Sequence, residues 1–382
     1  MSQHNCGWKS IIFVAITMLA VTVGPTWSDD GTAHRIDQVF PIQLGTSGGN
    51  INDRSKAFCY GGTLGALVQD GDGVQYILSN NHVLARTNLA AFGEDIIQPG
   101  LIDQNPVCNQ DKNDAVADLS AFIPILFRAK KTIPTNSVDA AIAEVRPGAV
   151  ISTGEILDVG MISSATLDPA IGLAVKKSGR TSGLTNGNIS AMNVTVDVSY
   201  GSGKTGRFTN QILITPGSFL ASGDSGSLMV EDAETTPRAI GLLFAGSSSV
   251  AIANPIDAVL NAFSVTLVGS TQSTTWKNKV LGWAKYLFRV SESHAANAQQ
   301  LPGKVNPAAI DAVKKVKERH EAKLLATPGV VGVGIGHSER IQGQAAIEIY
   351  VKEPASSMRR ALPASLEGVE VKIVETGEIR AY

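Results

Sequence analysis

The 382-residue sequence predicts a mainly β protein followed by a small α+β unit, and three observations carry that reading. Charged residues make up 17% of the chain, below the ~25% of an average soluble protein. Gly occupies 38 of the 382 positions, above the usual ~7%. Between Phe40 and about Val268, short apolar runs alternate with turn-forming clusters and no long helical period intervenes. That is the pattern of a sandwich or a pair of barrels. Hydrophobic residues at 43% supply a sizeable core and exclude disorder across the whole chain. Lys plus Arg is 32 and Asp plus Glu is 34, so the basic surplus of a nucleic-acid binder is missing.

Taken in order, residues 1–28 read as a secretory signal peptide. Lys9 precedes an uncharged apolar run, Ile11 to Val23, and small and polar residues follow at Gly24 to Ser28. The run falls short of the ~20 residues of a spanning helix; an uncleaved anchor is the alternative. A secreted or periplasmic protein is expected. Cys6 would leave with the signal, so Cys59 and Cys108 remain as an even pair. In an oxidising compartment a disulfide between them is expected, with two buried thiols as the alternative. Six scattered His and no CxxC or HxxxH spacing give no reason to expect a metal, and no cofactor is expected.

Residues 29–268 form the first domain. Gly62 to Val68 and Val74 to Leu78 flank the turn Gln69-Asp70-Gly71-Asp72-Gly73, which predicts a hairpin. Strand-like runs recur at 140–145, 174–177, 189–198, 211–215, 226–230, 239–244 and 250–253. Residues 269–306 change in character. Trp276, Val280, Trp283 and Leu287 fall at helical intervals among Lys277, Lys279, Lys285 and Arg289. A helix over residues 276–289 suits peripheral membrane contact, or it lays its Trp face on the protein body. Ser291 to Pro307 reads as a linker.

Residues 307–382 then read as helix (Pro307 to about Ala326), strands (330–335 and 345–351), a helix-like stretch (356–366) and a strand (369–374). The Gly-rich piece Gly329 to Gly336 is not a nucleotide loop, because polar residues and another strand follow it instead of a helix. Val331, Val333 and Ile335 alternate with Gly332, Gly334 and Gly336, so one strand face is apolar and the other bare. A bare face admits a close neighbour.

Three segments carry the chemistry. Tyr76-Ile77-Leu78-Ser79-Asn80-Asn81-His82 runs a strand into a turn holding one His. Val138-Asp139-Ala140-Ala141-Ile142 places a carboxylate at the head of an apolar strand. Ser222-Gly223-Asp224-Ser225-Gly226-Ser227 sets a Ser between glycines before another strand. A Ser hydroxyl is a weak nucleophile that needs a neighbouring base. Imidazole can take that proton near neutrality and return it to a leaving amine. A buried carboxylate fixes the imidazole tautomer. Each type also has an ordinary role in turns; their joint occurrence, in order, in one β-rich stretch is what points to acyl transfer. The α/β-hydrolase elbow fails, since it needs G-x-S-x-G and the order Ser, acid, His, whereas position 227 is Ser and the order is His82, Asp139, Ser225.

These phrases, with "GTLGALV", "LSNNHVLA", "VDAAIAEV", "KKSGRTSGLTNG", "SGDSGSL" and "GLLFAG", resemble the chymotrypsin-like (trypsin-fold) serine proteases, in particular their bacterial, Nal1-like branch, over roughly residues 38–268. The resemblance implies a double six-stranded β-barrel with the site in the cleft between barrels. It implies His82 as general base, Asp139 as orienting acid and Ser225 as nucleophile. The amides of Gly223 and Ser225 would form the oxyanion hole, and Phe244-Ala245-Gly246 the strand that pairs with a protein or peptide substrate. Asp118 competes with Asp139 for the acid's place; Asp139 is preferred because an uninterrupted apolar strand follows it. No Ile-Val-Gly-Gly start is present to hold Asp224 through an amine, so its partner stays open. Phe219 stands six positions before Ser225, where a trypsin-like pocket carries Asp, which disfavours Arg or Lys and favours a small or apolar substrate side chain there.

A secreted serine endopeptidase is therefore expected. A catalytically silent binding module on the same scaffold is the alternative, as is a surface-interaction protein led by the C-terminal unit. That unit is expected to restrain the protease or position substrates, with a passive appendage as the alternative. The sequence does not address oligomeric state.

Overall fold

The computed structural model describes residues 32–271, 305 and 307–382. The expected signal peptide, the expected helix over 276–289 and most of the linker lie outside the described residues.

The first barrel closes through a single bent strand. Gly62–Leu64 pairs with Thr46–Asn50, while Ala66–Gln69, one residue further on, pairs with Gln75–Ser79. From there the ladder runs through Ala141–Val145, Ala115–Phe122 and Asp95–Ile97 back to Thr46–Asn50. Six antiparallel strands thus form a ring without a free edge. Gly65 makes the bend, and a Cβ there would lie 1.9 Å from the Gly226 carbonyl oxygen. Only a glycine lets the second barrel approach so closely. Leu44, Leu64, Leu67, Ile77, Leu78, Ile96 and Val116 fill the core without any exposure.

The second barrel closes in the same way. Ala174–Gly179, Leu228–Glu231, Ala239–Gly246, Ala251–Pro255, Thr205–Thr215 and Gly183–Ser199 each pair with the next, and the last pairs with the first. Val175, Ile189, Ile214, Phe219, Met229 and Leu243 make its core. Two six-stranded barrels stand as the motifs implied. The helix Ile256–Phe263 was not anticipated; its eight residues are too few for periodicity to separate from a strand.

The C-terminal unit is built as expected in order, but its sheet is not separate. The strand Gly183–Ser199 spans 17 residues, longer than the stretch 189–198 expected. Its first half pairs with Ala174–Gly179, and along Ala191 to Val196 the strand also pairs with Val330–His337. The sheet then continues through Ala345–Val351 and, in parallel, Val369–Glu375. The helix Pro307–Leu325 covers it with Val313, Val316 and Leu324, against Val333, Ile335, Ile347 and Ile349. The bare glycine face receives Tyr350: a Cβ at Gly334 would meet its hydroxyl at 2.7 Å. The helix-like stretch 356–366 shrinks to Ala355–Met358, with Pro363 and the short strand Ser365–Leu366 beyond it. Pro lacks the N–H a continuing helix needs.

A last strand, Arg380–Ala381, leaves this unit and enters the space between the barrels. Cys59 and Cys108 form a disulfide with their Cα atoms 5.9 Å apart, over Ile51, Ile97 and Leu101. Among the described residues no helix is long and apolar enough to cross a membrane.

Candidate active site

His82 sits in the one-turn helix Asn81–Leu84 that follows Gln75–Ser79. Asn80, extended before that turn, donates from Nδ2 to the Asp139 carbonyl at 2.7 Å, tying the turn to the strand that Asp139 precedes. Asp139 is fully buried. Its Oδ2 lies 2.6 Å from His82 Nδ1 and accepts the Tyr200 hydroxyl at 2.7 Å; its Oδ1 accepts the His82 main-chain N–H at 3.3 Å. The Asp139 amide donates to Asn254 Oδ1 at 3.1 Å. Tyr200 and Asn254 belong to the second barrel, so both barrels hold this carboxylate. Asp118 is elsewhere, paired with Arg146 at 2.7 Å.

Burial alone would lower the His82 pKa, but the Asp139 charge, its hydrogen bond and the Tyr382 main-chain oxygen outweigh it and hold His82 above its usual value. Burial and the same carboxylate push the Tyr200 hydroxyl well above the ordinary tyrosine range, so Tyr200 remains a donor. Asp53 stands near His82 and Arg86, and burial pushes it up to about 6.

Ser225 is held by the opposite wall. Gly223 and Gly226 have φ of +97° and +94°, the left-handed region that glycine enters without strain. A Cβ at Gly226 would lie 2.3 Å from the Thr63 carbonyl, and one at Gly223 2.5 Å from Thr181 Oγ1. Thr63 clamps the loop by donating its N–H to the Ser225 carbonyl at 2.8 Å and its hydroxyl to that of Gly223 at 3.0 Å. The amides of Asp224 and Gly226 are used, donating to Ala221 and Leu243 at 2.9 Å each. Those of Gly223 and Ser225 donate to no group among the described residues.

The partner of Asp224, open in the sequence, is Lys177. Both side chains are fully buried and 3.2 Å apart. Asp224 also accepts the amides of Thr181 at 2.7 Å, Ala221 at 2.9 Å and Ser182 at 3.1 Å, with the Ser182 hydroxyl at 2.5 Å. Burial would raise the Asp224 carboxyl, yet Lys177 and these donors keep it below its ordinary range. A desolvated charge with this many donors is satisfied.

The cleft is occupied by the chain itself. Arg380 and Ala381 pair antiparallel with Gly246 and Ala245, and Ser199 donates its N–H to the Ile379 carbonyl at 2.9 Å. The Tyr382 main-chain oxygen lies 3.0 Å from His82 Nε2. The Ser225 hydroxyl, fully buried beneath, donates to the Phe244 carbonyl at 3.1 Å, not to His82. Phe219 is fully buried in an apolar cluster against which the Tyr382 ring packs. Beside Tyr382, a cavity of about 470 Å³ is lined by His82, Gly223, Arg86, Arg180 and Lys204.

Sequence reading missed Lys177, Tyr200, Asn254 and Tyr382. Lys177 alone had a signal: a charged side chain placed to point into an apolar strand, in a phrase already singled out.

A family model described as the Nal1 C-terminal domain matches residues 124–254. No curated protein matches. Among solved structures, the chain is similar to a glutamic acid specific serine protease that uses a histidine triad in substrate binding, at 22% identity over 59% of this chain and 100% of that one, with a TM-score of 0.41. Thermobifida fusca Protease A matches at 16% identity over 60% and 99%, with a TM-score of 0.39. A Cellulomonas bogoriensis chymotrypsin matches at 17% over the same shares, also at 0.39.

Proposed function

We propose that this chain is a serine endopeptidase acting on proteins or peptides outside the cytoplasm, with His82, Asp139 and Ser225 as its triad. The observation that carries the reading is the buried Asp139, 2.6 Å from His82 Nδ1, across from a Ser loop in which the Gly223 and Ser225 amides donate to no group among the described residues. Ser225 Oγ attacks the substrate carbonyl carbon while its proton passes to His82 Nε2. Asp139 keeps the Nδ1 proton in place and stabilises the imidazolium that forms. The Gly223 and Ser225 amides receive the oxyanion, each such donor being worth ~3 kcal/mol of barrier. As the C–N bond breaks, His82 gives its proton to the departing amine. Water then attacks the ester, delivering a proton to His82, and collapse returns that proton to Ser225 as the acid leaves. The disulfide supports an oxidising compartment.

One observation favours the silent scaffold: the Ser225 hydroxyl bonds to Phe244 while His82 faces Tyr382. A fluorophosphonate probe separates the two readings. Labelling at Ser225, lost in Ser225→Ala and in His82→Ala, supports the peptidase. Absence of labelling after prolonged exposure, or labelling that persists in Ser225→Ala, overturns it.

A further inference from the structure

Residues Arg380 to Tyr382 lie where an extended peptide would add a strand to Ala239–Gly246. Main-chain pairing with Ala245 and Gly246 supplies sequence-independent binding, and a side-chain pocket supplies the choice of residue. The Tyr382 ring passes Gly246 so closely that a Cβ there would stand 3.1 Å from ring Cε2, and the ring packs on the cluster that holds Phe219 and Leu220. A β-branched residue at 246 would close that space.

The contact with His82 adds a chemical consequence. His82 Nδ1 faces a carboxylate oxygen at 2.6 Å and Nε2 faces the Tyr382 main-chain oxygen, also an acceptor, at 3.0 Å. Two acceptors around one ring are both satisfied only when both nitrogens carry protons. In that form His82 cannot accept the proton of Ser225, whose hydroxyl is already committed to Phe244. The segment therefore fills the groove and ties up the base together.

We propose that residues 380–382 are a cis ligand of the cleft, which keeps it closed to substrates until displaced, and that Tyr382 marks an aromatic side chain as the class the pocket beside Gly246 takes. This rests on the peptidase reading and sharpens the small-or-apolar expectation of the sequence. Ile379, fully packed in a cluster with Val331 and Tyr350, anchors the segment. The C-terminal unit is in this sense the holder of an internal competitor. Its strength follows from the fraction of time the groove is filled, because the apparent affinity for anything else scales with the empty fraction.

The test uses the full chain with Ala381→Pro and Tyr382→Ala together, which removes one main-chain donor and the ring while leaving Ile379 in place. Fluorophosphonate labelling of this variant is expected to be roughly tenfold faster or more, as for a groove filled about nine-tenths of the time. In parallel, the same double variant carrying Ser225→Ala is titrated with a labelled Glu-Ile-Arg-Ala-Tyr peptide by fluorescence anisotropy. Saturable binding, weakened at least severalfold when the peptide's Tyr is Ala, is the expected result. Equal labelling rates together with no peptide binding overturn the proposal and leave the peptidase reading standing. Peptide binding without labelling of any form leaves the segment as a ligand of the groove and removes the peptidase reading.

Discussion

The two barrels each bury one aspartate completely, and they use it in opposite ways. Asp139 of the first barrel is matched to an imidazole, whose charge can come and go. Asp224 of the second is matched to the fully buried amine of Lys177 at 3.2 Å, with the Ser182 hydroxyl and the amides of Thr181, Ser182 and Ala221 around it. One pair can change state as its imidazole gains or loses a proton. The other ties the Ser222–Ser227 loop to the strand Ala174–Gly179, through Lys177 and the donors at Thr181 and Ser182. The difference teaches how the two walls of the cleft divide labour: the wall that holds His82 is chemically adjustable, and the wall that holds the Ser225 loop is anchored by a buried ion pair.

The largest expected effect breaks the adjustable wall. In Asp139→Asn, the amide must turn an NH2 towards at least one of three donors, His82 Nδ1, the His82 amide or Tyr200. With that NH2 turned towards His82 Nδ1 the imidazole takes the wrong tautomer, a change that lowers turnover by about 10⁴-fold in a serine protease. Peptide hydrolysis by the full chain, measured alongside its unfolding curve, checks this. Retained activity would show that Asp139 does not orient His82.

Breaking the anchored wall gives a smaller change in rate and a larger one in stability. Lys177→Met leaves Asp224 buried without a counter-charge, which costs about 3–5 kcal/mol and is read from denaturant midpoints. The double change Lys177→Met with Asp224→Asn is expected to recover much of that loss, since the amide oxygen can still accept from Thr181 and Ser182. A double variant as unstable as the single one would mean that Lys177 acts by packing. Removing the Cys59–Cys108 bridge by Cys59→Ser with Cys108→Ser should cost about 2–4 kcal/mol, less than the buried charge, with a lower thermal midpoint as the readout.

How far these walls were legible in the sequence follows the range of the forces that build them. The barrels were readable because alternation and turn residues are local, and the hairpin at Gly62 to Leu78 and the strand Ala345–Val351 fall where the pattern puts them. The pairing of His82 with Asp139 was within reach of the sequence because each sits in a phrase of its own. Lys177 and Tyr200 were not, since their roles arise from what folding sets beside them, 47 and 61 residues away in the case of Asp224 and Asp139. The strand Arg380–Ala381 has two residues and no period; its meaning comes entirely from the edge it joins. Gly65 and Gly246 belong to the same class, glycines whose reason is a backbone or ring from another part of the chain.

The finest test of the comparison is acidity, because the two pairs should weaken at opposite ends of the pH scale. Asp224 has its folded pKa held below 3.8, so the stability it contributes is complete above 3.8 and is lost as pH falls through the folded value. That acid step should shrink in Lys177→Met, which removes the main group lowering the carboxyl. Burial lowers the His82 pKa, but Asp139, the Tyr382 main-chain oxygen and Asp53 together hold its folded value above 6.5. Its contribution is complete below 6.5 and is lost as pH rises through the folded value, while its competence as a base grows over that same interval. An imidazole NMR titration should therefore place His82 above 6.5 in the parent chain. A His82 that titrates below 6.5 in the parent would break the contrast, since it would make burial, not Asp139, the dominant influence on the adjustable wall.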